Sequence, residues 1–214
     1  MNILSWNCRR LGNLRADTVL SHLMREKAPN VLFLMETKQT VEKMRKIQLD
    51  LWYNSMLVVP CVYRDGGLAM FWKEEVSLHI QTFSLNHIDA HIMIDPNSPW
   101  RLISFYGRPE DHHKHESWSY LRHLHSRDLL PCVCIRDFNE ILSLDEKQGR
   151  IPRSIRAMEE FRSTLLHCGL IDLGYRGNIF TWRNGRPGEA FAQERLDRAC
   201  ASIEWREKNR GMVG

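Results

Sequence analysis

The stretch CVCIRDFN at residues 132–139 decides how the rest of the sequence is interpreted. Four apolar residues in a row predict a short buried strand, which stops at a carboxylate followed by an amide. Two other apolar segments end in the same way, Ile3–Trp6 at Asn7 and Val31–Met35 at Glu36. Because strand ends hold polar groups rigidly beside exposed loops, these side chains are candidates for a functional site.

The segments around these strands alternate between helical and extended patterns. Apolar residues at helical spacing predict four helices, at 17–27, 41–51, 116–127 and 155–168, with Asp17 as the cap of the first. Turn signals separate five predicted strands at 55–59, 68–72, 76–83, 88–94 and 100–106. Short strands are expected near 171–173 and 179–182, and a short helix at 203–208. This mixture favours a layered α/β sandwich with mixed sheets over a doubly wound parallel sheet.

The composition is that of an ordinary globular chain. The 214 residues are 43% hydrophobic and 26% charged, which excludes a coiled coil, a collagen-like fibre and a mostly disordered chain. A net charge of +4 permits an anionic partner without requiring one. No apolar run reaches the roughly 18 residues of a membrane span, and the N-terminus is too polar for a signal peptide. The six cysteines lack framework spacing, so we expect reduced thiols in an intracellular protein consisting of one domain, 1–214.

The polar strand ends suit a hard cation. Carboxylate and amide oxygens are the ligands that Mg²⁺ prefers, and Mg²⁺ keeps several of its waters when it binds. Each of these residues alone has an ordinary structural explanation as a turn cap, a loop start or an exposed side chain. Their occurrence together, on strands that can be neighbours, is what predicts a shared site.

Several ordered motifs extend over nearly the whole chain. They are SWNCRRLGN at 5–13, ETK at 36–38, GGLA at 66–69, FYG at 105–107, DFNEIL at 137–142, FTW at 180–182 and ERLDRA at 194–199. In this order and spacing they resemble the endonuclease/exonuclease/phosphatase family. Within that family the sequence is similar to the apurinic-type endonuclease domain of plant LINE-type non-LTR retrotransposons. The resemblance implies a four-layer α/β sandwich with two mixed β-sheets flanked by helices.

The resemblance also implies a divalent metal and a DNA substrate. Glu36 matches the direct carboxylate ligand of Mg²⁺, with Mn²⁺ as the alternative, and Asn7 matches a second position of the metal site. The implied reaction is metal-dependent hydrolysis of a DNA phosphodiester bond, by which a retroelement nicks its target. No membrane and no small-molecule cofactor are implied, and we expect a monomer that acts in the nucleus.

Four further residues match positions around the scissile phosphate. Tyr106 matches the aromatic hydroxyl that contacts the phosphate, and Asn139 matches the amide that holds it. Asp137 matches the residue that orients the attacking water. Asp197 matches the aspartate of the Arg-Leu-Asp motif, which in the family supports a catalytic histidine.

The sequence departs from the family pattern near each end. The family domain continues with a further strand and a Ser-Asp-His motif, whereas here no histidine follows Asp197 and the sequence ends at Gly214. We therefore expect a domain that is incomplete at its C-terminus, lacks the last strand and has impaired activity. Arg10 and Arg136 stand where the family has glycine, a residue that often permits an unusual backbone angle.

Three functions are compatible with these observations. The first is a DNA endonuclease of the retroelement type, which the motifs FTW and ERLDRA favour. The second is a phosphatase or phosphodiesterase of the same family. The third is a decayed fragment that binds DNA without cutting it, which the missing terminal motif favours. A basic stretch with Arg150, Arg153 and Arg156 is either a contact for the DNA backbone or a solvated loop.

Overall fold

The computed structural model describes residues 1–62, 66–107 and 113–209, except for the side chain of Arg136. The fold is mixed α/β with two large mixed sheets flanked by helices, which confirms the predicted fold class. The chain divides into two units, Met1–Ser104 and Phe105–Gly214. No helix in the described ranges has the length and apolar character needed to cross a membrane.

The first unit is built on a four-stranded sheet. Its strands are β1 (Ile3–Asn7), β2 (Val31–Met35), β3 (Ser55–Val59) and β4 (Leu68–Trp72), in the order β1-β2-β4-β3. The first two strands are parallel, joined by α1 (Leu14–Lys27), and the other pairs are antiparallel. The helix α2 (Val41–Asp50) connects β2 to β3. Leu20 and Met44 bury the apolar faces of the two helices in one core with strand residues such as Leu34 and Phe71.

The first unit also contains a hairpin of β5 (Leu78–Ser84) and β6 (His87–Ile92). Asp89 of β6 is buried although it is charged. Its carboxylate accepts two hydrogen bonds, of 2.8 and 2.7 Å, from the buried guanidinium of Arg101. Burial of a charged residue in this strand is possible because a fully buried partner of opposite charge satisfies it.

The second large sheet has six strands in the order β10-β13-β8-β7-β6-β5. The remaining strands of this sheet are β7 (Trp100–Tyr106), β8 (Cys132–Asp137), β10 (Leu170–Asp172) and β13 (Asp197–Ser202). The boundary between the two units falls inside β7. A small third sheet consists of β9 (Lys147–Gly149), β11 (Trp182–Arg183) and β12 (Ala192–Glu194), with β12 in the middle.

Three helices complete the second unit: α3 (Lys114–Arg127), α4 (Ile155–His167) and α5 (Ile203–Lys208). The helices α3 and α4 pack together through the stacked rings of Trp118 and Phe161, whose centroids are 4.8 Å apart. The buried face of α4 is formed by Met158, Phe161 and Leu165, whereas Leu166 is 83% exposed.

The start of α1 also differs from the prediction. The helix begins three residues before Asp17, and its cap is Asn13, whose side chain accepts a hydrogen bond of 2.9 Å from the N–H of Ala16. The Asp17 carboxylate instead accepts from the N–H of Gly12 at 2.9 Å. Both residues are typical helix-start residues, and asparagine occupies the capping position here because it comes first. Of the turn predicted at 65–67, Asp65 lies outside the described residues.

Candidate active site

Asn7 and Glu36 lie together at the carboxyl end of the parallel pair β1–β2. Asn7 is in register with Met35, so Glu36 follows directly on the neighbouring strand. The Asn7 amide nitrogen donates a hydrogen bond of 2.9 Å to the Glu36 carboxylate, and the amide oxygen accepts one of 3.1 Å from the N–H of Arg9. Both side chains are half-buried. The structure thus brings together the two residues to which the resemblance assigns the metal.

The backbone around Glu36 is unusual and firmly held. Glu36 has a φ of 52° and Arg10 a φ of 89°, in the left-handed region that non-glycine residues seldom adopt. The N–H of Arg10 donates to the carbonyl of Glu36 at 2.7 Å, and the N–H of Thr37 donates to that of Gly67 at 3.1 Å. A side chain on Gly67 would meet the Thr37 hydroxyl at 2.6 Å. Strained backbone that is fixed from two sides is characteristic of functional sites.

The chemistry of the Asn7–Glu36 pair fits a hard divalent cation. Mg²⁺ is commonly bound by one or two carboxylates and keeps several waters, and an amide oxygen can accept a second partner. Among the residues that the structure describes, no group of three or more His, Cys, Asp or Glu side chains is arranged to hold a metal. A site at Glu36 would therefore rely on one carboxylate, neutral oxygens and water, which suits Mg²⁺ or Mn²⁺ better than Zn²⁺.

The second unit collects the other four predicted residues. Asp137, at the end of β8, lies opposite Asp197 of the antiparallel strand β13. Opposed residues of antiparallel strands carry their side chains on the same face, so the two aspartates share one face of the sheet. Asp137 is buried and Asp197 half-buried. Tyr106 ends the strand β7 and is half-buried.

Asn139 is held by the ends of two strands. Its N–H donates to the Asp137 carboxylate at 3.1 Å, and its side-chain amide donates to the carbonyl of Gly107 at 3.0 Å. The N–H of Gly107, next to Tyr106, donates in turn to the carbonyl of Asp137 at 3.2 Å. Asn139 also has a positive φ, of 52°. Gly107, Asp137 and Asn139 thus form one hydrogen-bonded framework, which directly follows Tyr106 in the chain, within the second unit.

Sequence reasoning missed the residues that hold Asp197 in place. The hydroxyl oxygen of Thr181 accepts from the N–H groups of Leu196 and Asp197, each at 3.0 Å. On either side of Asp197, the guanidinium groups of Arg195 and Arg198 are buried. The available signal was the motif itself, because the two arginines on either side of Asp197 require acidic partners when they are buried.

Those acidic partners are Glu146 and Asp172. Arg195 donates to Glu146 and to Asp172, each at 2.9 Å. Arg198 donates to Glu146 at 2.6 Å and to Asp172 at 2.7 Å. Because side chains alternate along a strand, Arg198 lies on the face of β13 opposite Asp197, and its bonds to Glu146 and Asp172 fix the start of the strand from that side.

The basic stretch at 150–156 is paired with acidic groups. Arg150 binds Glu189 at 2.8 Å, Arg156 binds Glu160 at 3.1 Å, and Arg153 binds Glu194 at 3.0 Å. The ion pairs of Arg150 and Arg156 are exposed, so they contribute little to the stability of the fold in water. Both arginines therefore remain available to a more highly charged partner such as a phosphate backbone.

The side chain of Arg136, which stands where the family has glycine, lies outside the described part of the chain, as do residues 108–112. The backbone of Arg136 belongs to β8 and is in register with Arg198.

The fold and the polar strand ends define the class of nucleases and phosphatases that hydrolyse phosphate esters. The chain belongs to the Endonuclease/Exonuclease/phosphatase family, whose model matches residues 4–213. This confirms the family that the ordered motifs indicated, and the match extends over both units of the chain. No curated protein sequence matches the chain significantly.

Solved structures show the same fold at low sequence identity. An AP endonuclease from Leishmania major has a TM-score of 0.71 and 16% identity, over 94% of this chain and 78% of its own. The endonuclease domain of TRAS1, a telomere-specific non-LTR retrotransposon, has a TM-score of 0.69 and 13% identity, over 94% of this chain and 85% of its own. A 3'-5' exonuclease from Neisseria meningitidis has a TM-score of 0.70 and 20% identity, over 95% of this chain and 88% of its own. At these identities the similarity establishes the fold alone.

Proposed function

We propose that this chain is a DNA endonuclease of the retroelement type, dependent on Mg²⁺ or Mn²⁺, and that it acts as a single-domain monomer in the nucleus. The observation that carries the proposal is the Asn7–Glu36 pair, a carboxylate and an amide hydrogen-bonded at 2.9 Å on adjacent parallel strand ends. The motifs FTW and ERLDRA support the retroelement type, and the similarity in fold to the TRAS1 domain is consistent with it.

The proposed catalytic roles belong to two groups of residues, one in each unit. Glu36, with Asn7 beside it, would hold the cation, which when bound supplies electrostatic stabilisation to a phosphoryl oxygen. The side-chain amide of Asn139 and the hydroxyl of Tyr106 would donate hydrogen bonds to phosphoryl oxygens. Asp137 would accept the proton of the attacking water, with its carboxylate already oriented by the N–H of Asn139 at 3.1 Å.

The surface of the second unit supports DNA as the substrate. A cleft of about 440 Å³ is lined by Trp182 and Phe191, by the cations Lys147, Arg150, Arg153 and Arg186, and by three glutamates, Glu140, Glu189 and Glu194. Glu194 binds Lys147 and Arg153, so the cations that a phosphate backbone could use are Arg186 and Arg150, whose pair with Glu189 is exposed. Arginine side chains bind phosphate, and aromatic rings can contact bases or sugars. A cleft that combines both favours a nucleic acid over a small phosphomonoester.

A plasmid-nicking assay on the 214-residue chain tests the proposal. We expect slow nicking with Mg²⁺, in line with the impaired activity expected from the sequence. This nicking should be lost with a chelator and fall further, by about 10²–10³-fold, in Glu36→Gln and in Asn139→Ala, because each removes one preorganised group. Glu26→Gln, the same exchange on the exposed surface of α1, is the matched control and should nick like the unmodified chain.

Three outcomes would contradict the proposal. Nicking that persists in Glu36→Gln would refute the assignment of Glu36 as the metal ligand. DNA binding without any metal-dependent nicking would favour the non-catalytic alternative. Faster hydrolysis of a phosphomonoester than of a plasmid would instead assign the chain to the phosphatases of the family.

A further inference from the structure

A buried ion pair between Lys114 and Glu140 lies next to the turn that contains Asn139. Glu140 is the next residue in the chain, and its carboxylate is fully buried. Lys114, the first residue of α3, has its ammonium group 2.8 Å from the Glu140 Oε2, with only 4% of the side chain exposed. The ion pair therefore connects the start of a helix to the turn that follows β8.

The second oxygen of Glu140 is used as well. Its Oε1 accepts a hydrogen bond of 3.0 Å from the N–H of Ile141. The Glu140 side chain is thereby fixed by Lys114 on one side and by the following backbone on the other. On the opposite side of the turn, Asp137 and Gly107 accept the two hydrogen bonds that Asn139 donates. Asn139, with its strained φ of 52°, is held between these two sets of contacts.

Stability alone does not explain such a pair. Taking two charges out of water costs about as much as their attraction returns, and apolar residues of similar size often stabilise a fold as well or better. What a buried ion pair does provide is a defined geometry, since each charge must meet its partner. The pair lies next to a residue whose left-handed backbone conformation is itself unfavourable for a non-glycine residue.

We infer that Lys114 and Glu140 are positioning residues that keep Asn139 in its left-handed conformation and aim its amide at the phosphate. The catalytic consequence rests on the proposed function, whereas the conformational consequence does not. Neither side chain touches the reacting atoms in this scheme, and both act through the backbone of Asn139.

The decisive variant is Lys114→Met combined with Glu140→Gln. It removes both charges, keeps similar volumes and leaves the glutamine carbonyl able to accept from Ile141. The single variant Lys114→Met would leave an unpaired buried carboxylate and can fail to fold, so the double variant carries the test. The matched control is Asp89→Asn with Arg101→Met, which neutralises the buried ion pair of the first unit.

Two readouts separate the inference from the proposed function. The first is amide hydrogen exchange by NMR, in which the double variant should exchange the Asn139 N–H and side-chain amide at least tenfold faster while overall melting changes little. The second is nicking, in which kcat should fall about 10–100-fold with KM nearly unchanged, as expected for a misplaced group. The single variant Lys114→Arg, which keeps the positive charge opposite Glu140, should retain most of the slow amide exchange and most of the nicking activity.

The inference is overturned if the double variant folds and exchanges its Asn139 amides at the unmodified rate. It is also overturned if the Asp89/Arg101 control accelerates that exchange equally, since the effect would then be general loosening. If the unmodified chain does not nick DNA, the proposed function fails, and the exchange rates alone decide the inference.

Discussion

Arg10 occupies a backbone conformation that glycine would adopt without strain. Its φ is 89°, its side chain is exposed, and its N–H is committed to the carbonyl of Glu36 at 2.7 Å. The family pattern has glycine at this position, and the sequence comparison predicted an unusual backbone angle on that ground. The structure shows that angle. The departure from the pattern therefore places a strained residue in the loop that follows β1, where its N–H binds the carbonyl of Glu36.

We expect Arg10→Gly to raise the free energy of unfolding by about 1 kcal/mol, because the strain relieved at positive φ exceeds the entropy that glycine adds to the unfolded chain. Arg10→Ala removes the same charge but keeps the Cβ atom, so it should show no such gain. Urea unfolding of the three proteins measures the difference. Equal stabilisation by both substitutions would assign the effect to charge rather than to backbone strain.

Other residues of the site could not be anticipated in this way. Glu36 and Asn139 also have positive φ values, of 52° each, but neither stands where a glycine was expected. The motifs indicated which side chains matter, since strand ends in sequence predict strand ends in space. They carried no information on the burial of Lys114, because a charged residue in a sequence normally indicates an exposed position.

At the scale of elements, β12 is held by charge rather than by apolar packing. Glu194, its last residue, is buried and binds Lys147 of β9 and Arg153 of the following loop. Burial by itself raises the pKa of the Glu194 carboxyl, but hydrogen bonds from Arg153 and Lys147 outweigh it and hold the pKa below its usual value.

A depressed carboxyl pKa gives stability above the unfolded value, near 4.3, that is lost as the pH falls through the lower folded value. We therefore expect Glu194→Gln to cost about 2 kcal/mol at pH 7, with the difference from the unmodified chain shrinking below about pH 4. Unfolding measured across pH 3–8 tests this. Glu189 pairs with Arg150, but its side chain is 86% exposed, so Glu189→Gln should change the free energy of unfolding little. An equal loss in Glu189→Gln would contradict the argument.

The contrast between strands held by apolar packing and strands held by ion pairs explains which elements the sequence predicted well. The strands at 55–59, 68–72 and 100–106 were predicted to the residue, because each is an apolar segment bounded by turn signals. β9 was missed and β12 was not resolved from its surroundings, because their sequences, KQG and AQE, are mainly polar. Ionic partners distant in sequence stabilise these strands, and no local pattern reports such partners.

Across the whole molecule, the cysteines lie in the core as reduced thiols. All six are free, five are buried and Cys61 is half-buried. Burial raises the pKa of the Cys8 thiol to about 12 and that of Cys168 to about 11. Because the thiolate is the reactive form, both thiols are unreactive in the folded chain near neutral pH.

We expect a thiol reagent at pH 8 to label about one cysteine in the folded chain and all six after denaturation. Cys61→Ser should abolish the rapid labelling, whereas Cys8→Ser should leave it intact. Mass spectrometry after a short pulse counts the labels. Rapid modification of two or more thiols in the folded chain would show that the core opens readily.

The parallel pair β1–β2 determines when each part of the site can be made. The four-stranded sheet that contains Asn7 and Glu36 is complete once the chain has been translated to Trp72, and local segments of this kind fold early. The cluster of Tyr106, Asp137 and Asp197 requires translation as far as Asp197. A reading frame interrupted between Trp72 and Tyr106 would thus encode the carboxylate–amide pair and none of the residues assigned to the phosphate.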